Sequence, residues 1–243
     1  MRGYVRLELM RLVRSPGYLI SSIAMPLVLY LIFSNLGSGS ASERHDVAVY
    51  LMVSMAAFGA VGGALMNGMI VVQDRSIGWL RQLRVTPLSP GRVVIGRGLT
   101  GMIATLPAIL VVCVLGGAIN DIGLPMARWV EIVALLWLGT APFALLGLGI
   151  GYLITAQAAQ PVMMLLNFGM SILGGLWVPA TEFPTFLRQV SKIIPTSGYG
   201  NIARQIAANA APHAFDVAVL VGWFVVFAVL AGFAYRRAGR STV

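Results

Sequence analysis

Few side chains in this sequence could do chemistry, and their spacing limits what that chemistry is. Lys192 is the only lysine, and no glycine-rich turn precedes it, so the chain has no phosphate-cradling P-loop of its own. The two histidines, His45 and His213, stand in separate polar stretches without metal-ligand spacing, and no metal site is expected. Cys113 is the single cysteine, which excludes a disulfide within the chain. A serine, His213 and Asp216 can be combined into a hydrolase triad only on paper, so no catalytic residue is assigned. Three features remain. Two are lone amides in apolar runs, Asn67 in GALMNGMIV and Asn167 in MMLLNFGMS. The third is a charged stretch, QDRSIGWLRQLRVTPLSPGR (Gln73–Arg92), set between two of the least polar parts of the chain.

The elements that must position these residues follow from composition. Of 243 residues, 58% are hydrophobic and 10% charged, with a mean hydropathy of +0.85. Soluble domains carry about 25% charged residues, so this is an integral membrane protein. The net charge of +9 comes from 17 basic and 8 acidic residues. The charges cluster at the ends of apolar runs, which marks membrane topology rather than nucleic-acid binding.

A helix needs about 20 apolar residues to cross the hydrocarbon core. Six stretches are read as spans: Gly17–Leu36, Val47–Val72, Gly98–Ile119, Ile132–Ile154, Val162–Val178 and Val217–Tyr235. Thr155–Pro161 (TAQAAQP) is read as the turn between the fourth and fifth. With a cytoplasmic N-terminus, twelve of the 17 basic residues fall inside, and both termini are cytoplasmic. Residues 1–16 form either a helix lying in the membrane interface or a cationic juxtamembrane tail. The external segment 179–212 holds too many apolar residues for a free loop and too many cations for a span. Short helices folded back toward the membrane are expected there.

No acid lies inside a predicted span, which argues against a proton- or sodium-coupled carrier. A six-span chain without its own energy source borrows one. In DRSIGWLRQLR, Trp79, Leu80 and Leu83 share one helical face, with Arg81 and Arg84 roughly opposite. Either this is an amphipathic helix that meets a cytosolic partner, or it is a loop whose arginines fix topology.

At these residues the sequence resembles a known family. Asp74-Arg75, Gly78, Leu80 and Leu83-Arg84-Val85-Thr86-Pro87 are similar to the cytoplasmic segment after the second span of ABC-2 type transporter permeases. Gly174-Gly175-Leu176-Trp177-Val178-Pro179, with Phe183-Pro184 and Ile194-Pro195, resembles the stretch after that family's fifth span. The family often has another acid near Ser76 and a small residue near Trp79, where this chain departs.

The resemblance implies an all-α, polytopic domain over residues 1–243, with six transmembrane helices, an N-terminal interfacial helix, a coupling helix over 74–84 and a re-entrant segment over 179–212. It implies that Asp74, Arg75, Gly78, Leu80, Arg81, Leu83, Arg84, Thr86 and Pro87 couple the chain to an ATPase. It also implies a complex of two permeases, here a homodimer, with two ATP-hydrolysing subunits. ATP and Mg would be bound by those partners, with no cofactor on this chain. Membrane lipids, and no nucleic acid, complete the expected surroundings in a bacterial plasma membrane.

By the same resemblance the second and fifth spans face a substrate path carrying Asn67, Met163, Asn167 and Met170. The residues alone leave each amide open to two uses: a hydrogen bond between helices, or orientation of a largely apolar ligand. The methionines are either repackable lining or ordinary filling. The expected function is export of a hydrophobic or amphipathic compound (a drug, antibiotic or lipid-like molecule) by a non-catalytic permease subunit. The alternatives are a membrane anchor or sensor for an ATPase that moves nothing, and an autonomous carrier or channel.

Overall fold

In hydrocarbon, backbone N–H and C=O groups must be satisfied within their own segment, so apolar runs become helices. The computed structural model describes residues 16–36, 41–76 and 90–240. Its helices are α1 (Pro16–Leu36), α2 (Ala41–Ser76), α3 (Pro90–Ile119), α4 (Met126–Leu138), α5 (Ala141–Leu153) and α6 (Ala156–Leu173). A 3₁₀ turn (Ala180–Glu182) then leads to α7 (Thr185–Ile193), α8 (Pro195–Ala207) and α9 (Ala214–Arg240). Among the described residues there is no β-strand.

Four helical stretches among these residues are long and apolar enough to cross a membrane: Arg44–Arg75, Val93–Ile119, Met126–Leu153 and Ala214–Ala238. Ile23–Asn35 is a shorter apolar helix. The other two expected spans fall on α1 and α6. The 18 residues of α6 open with AQAAQ, which leaves a short apolar remainder. The expected turn at Thr155–Pro161 is corrected: Ile154 and Thr155 are extended, and α6 begins at Ala156 with Pro161 inside its second turn. A proline there forfeits a single backbone bond near the helix start. The fourth apolar stretch is also two helices, broken at Gly139–Thr140, with Pro142 in the first turn of the second.

The central rod is α2, which packs against α1, α3, α5, α6 and α8. Its seam with α5 runs over glycines. A Cβ at Gly147 would lie 2.6 Å from the Leu65 carbonyl oxygen, so only glycine lets the two backbones approach this closely. Met52, Met55 and Leu65 of α2, Ile109 of α3 and Phe143 of α5 are fully buried in the main core. The segment after α6 does not stay at the surface. Tyr199 of α8 is completely buried and donates a hydrogen bond to the Leu136 carbonyl at 2.7 Å.

The bundle thus has two ends. Asp74, Arg97 and Ile154 mark one, and Tyr50, Gly175, Arg204 and Asp216 mark the other.

Candidate coupling and transport sites

At the first end the last turn of α2 is held by charge. Asp74 accepts a charge-assisted hydrogen bond from Arg97 of α3, and both residues are buried. The Arg97 backbone carbonyl accepts from Asn67 Nδ2 at 2.8 Å. Arg75 turns the other way: its Nη1 donates to the Gly151 and Ile154 carbonyls at 3.1 and 3.0 Å. Those acceptors lie at the C-terminus of α5, where carbonyls lack intrahelical partners and a cation is favoured. Asp74 and Arg75, expected to face an ATPase, are therefore engaged inside the chain. Gly78, Leu80, Arg81, Leu83, Arg84, Thr86 and Pro87 lie outside the described residues, as does the expected N-terminal interfacial helix.

The four expected path residues are not gathered into one site. Asn67 is buried and bonded across the α2–α3 contact, where it fills the space left by Gly101. Met163 is fully buried against Gly68, and Met170 is partly buried. Asn167 is different. It lines a cleft of about 260 Å³ between α1, α2 and α6, together with Phe58, Met66, Gln160, Met164 and Phe168. Its Oδ1 is closed off from solvent and has no hydrogen-bond partner among the described residues.

At the second end lies a polar network that the sequence reading missed. Arg204 of α8 donates through Nη1 to Ser54 Oγ of α2 (2.9 Å) and to the Gly175 carbonyl (3.4 Å). Its Nη2 donates to Asn201 Oδ1 at 2.7 Å, and the guanidinium stands 4.8 Å over the Tyr50 ring. Tyr50 donates its hydroxyl to the same Gly175 carbonyl at 2.7 Å. Gly175 has φ +73°, in the left-handed region that favours glycine. Asp216 completes the network, accepting from Asn201 Nδ2 (3.1 Å) and Gln205 Nε2 (2.9 Å). Burial pulls the Arg204 pKa below its usual value, while Tyr50 and Asp216 oppose that shift. The sequence signal was present: Asn201, Arg204 and Gln205 share one face of a short helix, with Asp216 beginning the next.

A second concavity, of about 620 Å³, lies between α3 and α4. It is lined by apolar side chains that include Leu110, Val114, Trp129 and Val133.

This arrangement is a helical membrane bundle with a charged segment emerging between α2 and α3, a buried guanidinium–carboxylate pair at its root, and amides at depth. Residues 41–233 match the family described as ABC-2 family transporter protein. The chain belongs to the ABC-2 transporter family. The putative transport permease YvfS of Bacillus subtilis (strain 168) is 25% identical over 232 residues, covering 95% of this chain and 94% of that protein. The probable doxorubicin resistance ABC transporter permease protein DrrC of Mycobacterium tuberculosis is 26% identical over 237 residues, covering 90% of this chain and 82% of that one. The resemblance read from Asp74–Pro87 and Gly174–Pro195 therefore holds, and the chain is a multi-pass ABC-2 membrane permease.

Proposed function

We propose that this ABC-2 permease is the membrane subunit of an exporter driven by a separate ATPase. It would move a hydrophobic or amphipathic compound, of the kind named for its DrrC relative, out of a bacterial cell. In this reading two copies pair with each other and with two ATPase subunits, and ATP and Mg belong to those partners. Six spans, with α1 and α6 as the first and fifth, place both termini in the cytoplasm.

The observation that carries the reading is how the charged segment is rooted. Its two stems leave α2 and α3 within a few residues of the Asp74–Arg97 pair, and Arg75 grips the end of α5. A push on residues 77–89 would therefore reach three helices at once. Leu80 and Leu83 would supply most of the docking energy, since burying one leucine is worth about 1.5–3 kcal/mol. Exposed arginine pairs contribute only ~0–1 kcal/mol. The test is co-purification with the ATPase and transport into inside-out vesicles. Leu83→Asp should abolish both, whereas Arg81→Ala should leave most of the complex intact. Full association and transport by Leu83→Asp would sink the assignment of 74–84 as the coupling helix.

A further inference from the structure

We propose that the trough between α3 and α4 holds one acyl chain of a resident phospholipid, and that Asp121 at its mouth selects a headgroup bearing an ammonium group, as in phosphatidylethanolamine. This site is separate from the cleft between α1, α2 and α6, and it is independent of the export reading.

The walls set the body of the ligand. Both flanking helices belong to stretches long and apolar enough to cross a membrane, Val93–Ile119 and Met126–Leu153. The trough therefore opens onto hydrocarbon. Leu106, Leu110 and Val114 of α3 recur at helical spacing, and so do Met126, Val130 and Val133 of α4. No lining side chain is a carboxylate, amine, amide or alcohol. A compound with a polar group at depth would find nothing there to bond. Val114 and Val130 are 64% and 61% exposed, so no other described helix covers this face. Left empty, a space of about 620 Å³ would cost its walls the dispersion contacts of one side.

Length and closure point to a single chain in a single leaflet. Leu106 to Ala118, and Met126 to Trp137, each extend roughly 17–18 Å at 1.5 Å per residue. One leaflet of the hydrocarbon core is about 15 Å deep. The inner end is closed where Trp137 Nε1 donates to the Met102 carbonyl at 3.0 Å. Nearer the mouth Trp129 packs on Gly117, where a Cβ would lie 2.7 Å from the ring. These two contacts fix the walls at both levels, so the trough is preformed, which lowers the cost of binding. A helix, about 10–12 Å across, is too wide to enter between walls that touch at two levels. A hydrocarbon chain is not.

The mouth sets the headgroup. Asp121, in the turn between α3 and α4, directly precedes Ile122, which lines the trough. Asp121 is exposed and enters no ion pair among the described residues. The cation in the first turn of α4 is already committed. Arg128 donates to the Ile206 carbonyl at 2.7 Å and to Asn209, and stands 3.7 Å from Glu131. The mouth thus keeps an uncompensated negative charge, which attracts an ammonium group and repels a lipid of net negative charge.

The experiment uses the permease purified with its ATPase, stripped of lipid in mild detergent and titrated with single phospholipids, with bound lipids counted by native mass spectrometry. Dipalmitoyl phosphatidylethanolamine should fill one tight site per permease copy. It should bind about two- to fivefold better than dipalmitoyl phosphatidylglycerol, the worth of one exposed ion pair. Val114→Phe fills the trough from an exposed rim position and should remove the tight site for both lipids. Val229→Phe, at a 67% exposed position of α9 outside the trough, should keep it. Asp121→Asn should erase the headgroup preference and leave the site occupied. Because Trp137 closes the inner end, shortening the chains to lauroyl should weaken binding, and lengthening them to arachidoyl should add nothing. Equal binding by the two phenylalanine variants overturns the proposal, as does equal or better binding of phosphatidylglycerol by the unaltered chain. A fall in the dimer fraction confined to Val114→Phe would assign the trough to a second copy of the chain, and also overturns it. If Val114→Phe fails to assemble, Asp121→Asn and the chain-length series carry the test.

Discussion

The two ends of the bundle are fastened by different electrostatics. At one end Asp74 and Arg97 meet directly, and both are buried. At the other, Arg204 has no carboxylate of its own among the described residues. Its charge is spread over Ser54, Gly175, Asn201 and the Tyr50 ring, and Asp216 is reached through Asn201. A direct buried pair fails abruptly, because removing one partner strands the other charge. A distributed network fails by degrees, because each acceptor holds only a share. The first arrangement suits a root that must not give way under load. The second joins four elements (α2, the turn after α6, α8 and α9).

The sharpest way to break this contrast is Asp74→Ala, which takes away the carboxylate that the buried Arg97 guanidinium meets. We expect a loss of about 3–5 kcal/mol, read as a large drop in thermal unfolding temperature in detergent. Replacing both partners, Asp74→Leu with Arg97→Met, should recover most of it, since matched apolar groups often substitute for a buried pair. Arg204→Met should cost less, about 1.5–3 kcal/mol, the range for hydrogen bonds to a charged group. It strands no carboxylate, because Asp216 keeps Asn201 and Gln205. The smallest effect belongs to Tyr50→Phe, which removes one of two donors on the Gly175 carbonyl. About 0.6 kcal/mol is typical for such a bond inside a membrane protein. If Arg204→Met proved as damaging as Asp74→Ala, the two ends would not differ in kind.

Much of the fold was legible because hydropathy reads it directly. The apolar runs at 47–72, 98–119 and 217–235 lie within α2, α3 and α9. Boundaries were less legible where local chemistry conflicts. TAQAAQP carries a proline and two glutamines that interrupt the apolar run, yet the extended backbone at Ile154 and Thr155 makes the corner and lets a helix start at Ala156, where glutamine is at home. The break at Gly139–Thr140 is flagged locally by Pro142 in the first turn of α5, while the space beside Gly139 is filled by the Tyr199 ring, 60 residues on. The sites divide in the same way. Asn67 and Asn167 were identifiable as amides in apolar runs, but sequence could not say which has a protein partner. Asp74 and Arg97 are 23 residues apart, and no periodicity links them. Arg204 looked like a bar to membrane insertion because its partners Ser54 and Gly175 come from other helices.

The break in the fourth apolar stretch also bears on how the chain is made. Met126–Leu138 and Ala141–Leu153 have 13 residues each, roughly 20 Å of helix, too short to cross a bilayer alone. They must enter the membrane as one 28-residue unit. The Leu136 carbonyl beside the break is bonded in the finished fold by Tyr199, which lies 63 residues later. At ribosomal speeds of about 5–20 residues per second, that partner is synthesised roughly 3–13 s afterwards. During this interval the half-built span lacks the hydroxyl that clasps its middle. A nascent chain truncated before α8 should therefore hold this segment more loosely than the full-length protein, and be the species most exposed to membrane quality control.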